Sequence, residues 1–134
     1  MKPVSQKDLS GCAIACVAFI LDVKYAASLK LFKNGQKKAY RSGFSRREIV
    51  EVLNKAGLKY SCKYISNKTS SKRYKDKTIV FIKRSKNYPM GHYLCRAGRR
   101  WMDPWVNIPK ITIKAGYRRR LPEKPIYAIY QLGS

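Results

Sequence analysis

Hydrophobic positions change their period once along the chain, and the change divides it into a helical first part and a stranded second part. Ala13, Cys16, Val17, Ile20 and Leu21 recur at helical spacing, which predicts helix over residues 12–33 in two pieces with a turn near Asp22 to Tyr25. Ser45-Arg-Arg-Glu48 has the form of a capping box, in which a hydroxyl accepts from the third helical N–H and a carboxylate reaches back. Ile49, Val52 and Leu53 follow at helical spacing, and Gly57 supplies a stop. From Leu58 onward the texture is that of strands: Tyr60 to Ile65, Thr78 to Lys83, His92 to Arg96, Ile111 to Lys114 and Ile126 to Gln131 are rich in β-branched and aromatic residues. Basic, polar turns separate them, the longest being Ser66 to Lys77. Helices first and strands second predict an α+β domain with the helices packed on one side of an antiparallel sheet. With no internal repeat and no visible linker, residues 1–134 are expected to form one domain.

Composition changes this picture in one respect. A hydrophobic fraction of 45% is enough for a core, but thirty Lys and Arg stand against seven Asp and Glu, for a net charge of +23. So much charge of one sign repels itself in a compact state unless an anionic partner offsets it. RNA, an acidic membrane surface and an acidic protein all answer that description. Cations cluster at Lys37-Lys38 with Arg41, at Arg46-Arg47, from Lys68 to Lys77, at Lys83-Arg84, at Arg99-Arg100 and at Arg118-Arg119-Arg120. Tyrosines 40, 74, 88 and 117 lie among them, a mixture suited to tracking a single-stranded RNA backbone and stacking on its bases.

The longest apolar run, Cys12 to Val23, contains Asp22 and is too short to span a bilayer, so no transmembrane segment is expected. No apolar signal region opens the chain. The expected location is the cytoplasm, unless the domain is delivered as part of a larger exported protein. Four cysteines at 12, 16, 62 and 95 lack the dense spacing of a disulfide scaffold and are expected to be reduced. Their closest pair is three residues apart in one helix with no matching second pair, so neither zinc nor any other cofactor is expected.

Chemistry concentrates at two places. Cys12 follows Gly11 at the start of the apolar helix, where free N–H groups and the positive end of the helix dipole favour a thiolate and hold an oxyanion. Gln6, six residues earlier, offers a side-chain amide as a second oxyanion donor. The chain's only histidine, His92, opens a predicted strand after Gly91, and Asp103 lies eleven residues further on, past a hairpin turn at Ala97-Gly98-Arg99. A thiol needs a base and the base needs an orienting partner, so Cys12, His92 and Asp103 together are worth more than each alone. Taken singly, a cysteine on an apolar helix is more often a small core residue, and an aspartate before proline merely starts a turn. The predicted hairpin also places Arg99, Arg100 and Trp101 near His92. With Arg118, Arg119 and Arg120 they are the candidate substrate-binding residues, pointing to an anionic substrate.

Glutamine, six residues on to cysteine at a helix start, then Gly-His on a strand and Asp-Pro eleven residues later: this pattern resembles the C39 peptidase family. The resemblance runs from about Gln6 to Asp103 and implies a papain-like fold, with Cys12 as nucleophile, His92 as general base and acid, Asp103 as orienter and Gln6 as oxyanion donor. Family members commonly carry Gly directly after the nucleophile, where this chain has Ala13, and leader-trimming members often carry an acidic residue before it, where this chain has Gly11. These departures weaken any expectation of leader-peptide specificity, as does the expectation that no transporter domain accompanies the chain. Three functions stay open on the sequence. One is a cysteine hydrolase acting on peptides, in the setting of an antibacterial (bacteriocin-like) toxin. Another is a ribonuclease toxin on the same scaffold, cleaving RNA or tRNA with His92 and the basic residues. The third is a nucleic-acid-binding module on a decayed peptidase fold. For a toxin, an acidic immunity protein is the expected partner.

Overall fold

Ser45 and Glu48 close the capping box that the sequence announces. The Glu48 N–H donates to Ser45 Oγ at 3.2 Å, and the Ser45 N–H donates to Glu48 Oε1 at 3.0 Å. The helix they start, Arg46–Lys55 (α4), buries Ile49, Val52 and Leu53 and ends before Gly57, which takes a left-handed φ of 95°. The computed structural model describes residues 2–41, 43–65 and 74–133, without the side chains of Tyr40 and Arg41. Among the described residues three helices precede α4. Cys12–Leu21 (α1) buries every residue from Ala13 to Ile20, so it is a core helix covered on all sides rather than a surface helix with one apolar stripe. Asp22, in the left-handed region at φ 56°, closes it, at the turn the hydrophobic pattern predicts. Tyr25–Leu29 (α2) follows and is short. Gly35–Arg41 (α3) has no predicted counterpart: among its residues the sequence shows no apolar period, and Ala39 is buried.

Among the described residues six strands form one antiparallel sheet: Tyr60–Tyr64 (β1), Ile79–Ile82 (β2), His92–Ala97 (β3), Arg100–Asp103 (β4), Gly116–Arg118 (β5) and Pro125–Gln131 (β6). Their order is β1-β6-β2-β3-β4-β5, the last strand entering between the first and second. One face packs on the helices: Ile79, Tyr93, Cys95, Met102 and Ile129 share a core with α1 and α4. The alternate residues Val80, Ile82, Leu94, Trp101 and Ala128 are buried on the other face, beneath Tyr88, Tyr74, Ile108 and Leu121 from loops. Alternation with period two thus feeds two cores, and the helices lie on one side of the sheet, as expected for α+β.

One strand expectation needs correction. Residues 111–114 form no strand, and Ile111 is 94% exposed. Asn107 takes the place of a neighbouring strand there, its amide donating to Thr112 O at 2.8 Å and its carbonyl accepting from the Lys114 N–H at 2.9 Å. The strand in this region is β5 instead, which pairs with β4 through Trp101↔Arg118, Met102↔Tyr117 and Asp103↔Gly116. The expected basic loop from Ser66 to Lys77 lies largely outside the described residues. No helix among the described residues is long and apolar enough to cross a membrane.

Candidate active site

α1 packs on β3 and presents its first residue, Cys12, at the end of the sheet where β3 begins. Antiparallel pairing of β3 with β4 brings the first residue of one, His92, to the same end as the last residue of the other, Asp103. Three distant sequence positions meet for that reason. His92 Nε2 lies 2.7 Å from Asp103 Oδ1, and the Cys12 side chain is near enough to the imidazole to raise its affinity for a proton. With Nε2 engaged by the carboxylate, Nδ1 is the nitrogen left for the thiol.

Burial would push the His92 imidazole toward its neutral form. Hydrogen bonds and charge from Asp103 and Cys12 outweigh that effect and raise its pKa to about 9. Asp103 is fully buried, yet its carboxyl is held below the usual range by His92, by Arg118 and by the Trp105 N–H, which donates to Oδ1 at 2.9 Å. Tyr88 stacks on the imidazole with centroids 5.0 Å apart and planes 28° from parallel. Gly91 enters β3 at φ 78°, and a Cβ there would stand 2.1 Å from the end of the Phe81 ring. Only glycine lets the chain turn into His92 with Phe81 against it.

Beside Cys12 and His92 opens a cleft of about 510 Å³, whose lining includes Leu9, Phe44, Phe81, Met90, Tyr93 and Trp105. Among the described residues that line it, Lys86 is the one Lys or Arg, and none is Asp or Glu.

The other expected site residues are dispersed. Gln6 is buried in the loop that leads to Cys12, its amide nitrogen donating to Asp8 O at 2.9 Å and Leu9 O at 3.1 Å, which uses both amide hydrogens; its Oε1 is buried without a partner among the described residues. It braces the loop ahead of Cys12, and it reaches an oxyanion only by releasing one of those bonds. Arg99 and Arg100 sit at the exposed tip of the β3–β4 hairpin, the end opposite His92 and Asp103, so their placement near the site is corrected by the register Ala97↔Arg100. Trp101 is buried in the far core, under the Arg96 guanidinium at 4.9 Å and against Tyr74. It therefore offers no face to a substrate. Arg118 turns inward, its Nε donating to Asp103 Oδ2 at 2.6 Å, while Arg119 and Arg120 are exposed beyond β5. Sequence reasoning missed the company of Asp103. Arg118 was legible only as one of three consecutive cations, and Tyr88 as one of several tyrosines among basic residues.

All four cysteines are unbridged. Among the described residues no cluster of His, Cys, Asp and Glu is arranged to hold a metal ion.

The chain is an α+β domain whose fold matches that of C39-type peptidase domains. Among solved structures, the peptidase domain of Streptococcus mutans ComA superposes with a TM-score of 0.57 at 18% identity, over 99% of this chain and 100% of that one. A second structure, the peptidase domain of Streptococcus ComA, described as a bifunctional ABC transporter involved in a quorum-sensing pathway, gives 0.57 at 19% identity, over 99% and 98%. Identity this low establishes a shared fold. No protein-family model and no curated protein matches the chain.

Proposed function

We propose that the chain is a papain-like cysteine hydrolase that cleaves peptide bonds. The observation that carries this reading is the line Cys12, His92, Asp103 at the mouth of an apolar cleft. In this mechanism His92 Nδ1 takes the Cys12 proton, and the thiolate adds to the substrate carbonyl carbon. Negative charge then grows on the carbonyl oxygen, where the unbonded N–H groups at the start of α1 point. Gln6 adds its amide there once freed from a backbone carbonyl. Collapse of the tetrahedral adduct breaks the C–N bond, and His92 gives its proton to the leaving amine. Water, deprotonated by the same imidazole, attacks the thioester carbon and releases the acid and the thiol. Asp103 keeps the ring oriented and stabilises its cationic form throughout.

Net charge supports a second reading on the same scaffold. At +23 the domain suits a ribonuclease toxin using His92 and surface cations, held in check before delivery by an acidic immunity protein. The cleft argues for the first reading, because Lys86 is the one Lys or Arg among its described lining residues and Arg118 is already committed to Asp103.

One experiment separates them. Wild type, Cys12→Ala and His92→Ala are each incubated with total RNA and with a mixed protein lysate. The peptidase reading expects new protein fragments that require both residues, and intact RNA. RNA fragments that vanish in His92→Ala but persist in Cys12→Ala would replace it with the ribonuclease.

A further inference from the structure

Asp103 is sealed from solvent and still ionised, and its two oxygens are used differently. Oδ1 accepts from the Trp105 N–H at 2.9 Å and bonds the imidazole at 2.7 Å, while Oδ2 accepts from Arg118 Nε at 2.6 Å. Arg118 does not stop there. Its Nη2 donates to the Tyr88 hydroxyl at 3.3 Å and to Val106 O at 3.1 Å, and the ring of Tyr88 stacks on His92. A closed circuit results: imidazole, carboxylate, guanidinium, phenol, and back to the imidazole through the stacked faces.

We propose that Arg118 is a positioning residue of this site, clamping Asp103 and Tyr88 together so that His92 is held between a carboxylate that stays ionised and an aromatic face that cannot swing away.

The physical need is specific to a base that changes charge. During turnover the imidazole alternates between cation and neutral ring. While it is neutral, Asp103 would be a buried anion with no counter-charge, and such a group takes up a proton instead. A guanidinium stays charged at any working pH, so it stabilises the carboxylate in both halves of the cycle. Its planar fork also holds carboxylate and phenol at once, which an ammonium does not reproduce. The charged and titratable groups around the pair are Cys12 from α1, Cys16 one turn deeper, Tyr88 and Lys86 from the β2–β3 loop, and Arg118 from β5; Glu123 acts on Tyr88. Of these, Arg118 alone is a permanent cation in contact with the carboxylate.

This inference deepens the cysteine-hydrolase reading, but its test uses no substrate, so the two fail separately. His92 is the only histidine, and its ring Cε1–H resonance therefore reports one titration without assignment by mutation. In a Cys62→Ser background, which removes the other half-exposed thiol, the rate of Cys12 alkylation by iodoacetamide reports the thiolate. Arg118→Gln removes a cation from the pair and is expected to raise the His92 midpoint by about one pH unit, the scale set by a unit charge a few ångströms away at the effective dielectric of a protein site. Arg118→Lys is expected to keep the midpoint near the wild-type value while slowing alkylation on its pH plateau about threefold or more, since charge is retained and the fork is lost. A folded Arg118→Gln protein with an unmoved midpoint overturns the proposal, because a merely structural arginine would change melting temperature alone. If Arg118→Gln does not fold, Arg118→Lys decides, and an alkylation plateau equal to wild type overturns the clamp.

Discussion

The hydroxyl of Tyr25 occupies the space where a side chain on Gly11 would begin. A Cβ there would stand 2.0 Å from that oxygen, which itself donates to Asp8 Oδ2 at 2.8 Å. Gly11 has an ordinary backbone conformation, φ −94° and ψ 13°, so the need for glycine comes from this close approach and not from a special turn. Asp8 also accepts from Gln36 Nε2 at 3.1 Å, and Gln6 braces the next two carbonyls. The loop that delivers Cys12 is thus tied to α2, to α3 and to itself. This fixes the helix start, and with it the direction of the thiol.

Gly11→Ala is therefore expected to cost about 1–3 kcal/mol through overpacking against a tyrosine that is 5% exposed and has little room to move. Thermal melts of Gly11→Ala, Tyr25→Phe and the double variant measure the coupling. Removal of the hydroxyl should recover part of the loss, giving a double-variant cost below the sum of the singles. Strict additivity would mean that the two groups do not compete for the same space.

Asp103→Asn keeps the shape of the side chain and removes the charge that both His92 and Arg118 face. Turnover is expected to fall on the order of 10³–10⁴-fold, as when a triad carboxylate becomes an amide that presents the wrong partner to the imidazole. Stability is expected to fall by about 2 kcal/mol, less than for a fully buried pair because the Arg118 side chain is 26% exposed. Steady-state kinetics and denaturant melts on the same preparation separate the two losses. A variant with full activity would remove Asp103 from the mechanism.

What the sequence reveals and hides here follows from how local each signal is. Ser45 and Glu48 need only each other, so the α4 start is legible from four residues. Cys12, His92 and Asp103 are legible because each sits at the end of an element whose own pattern is clear. Residues 111–114 mislead because three of four have strand propensity, while the group that satisfies their backbone is the distant side chain of Asn107. Propensity describes what a residue suits, not which partner arrives. β5 is hidden for the converse reason: three residues with a glycine carry no period, and β4 alone defines them. The inward turn of Arg118 is illegible in the same way, since Arg118, Arg119 and Arg120 look alike until β4 sets the register. The placement of Arg99 and Arg100 failed on direction. A hairpin has two ends, and the sequence spacing did not say which one held His92.

That geometry has a kinetic consequence. Along the strands the hairpin tip is about 10 Å from Asp103 and about 17 Å from His92, at roughly 3.3 Å per residue. Charges so separated and exposed are largely screened at physiological ionic strength, where the Debye length is about 8 Å. Arg99→Glu with Arg100→Glu is expected to leave kcat/KM on a short peptide within about twofold of wild type. A tenfold loss would place the substrate path over the hairpin tip and restore these arginines to the site.

Stability should record the His92 charge as well. Its pKa is raised from the ordinary 6.5 to about 9 in the folded chain, so folding favours the protonated imidazole. The resulting stabilisation is complete below about pH 6.5 and is lost as pH rises through 9. Asp103 acts on the opposite flank: its depressed pKa contributes stability above the normal carboxylate range, and that is lost as pH falls through the folded-state value. His92→Gln does not titrate and serves as the reference for the upper flank. Between pH 6.5 and 9 the melting temperature of wild type is expected to fall more steeply than that of His92→Gln, the two curves running parallel below this window down to the acid range in which Asp103 titrates. Parallel curves across the whole range would mean that the imidazole is neutral in the folded protein. The thiol of Cys12 would then meet a free base instead of an imidazolium, and proton transfer would have to occur during attack rather than before it.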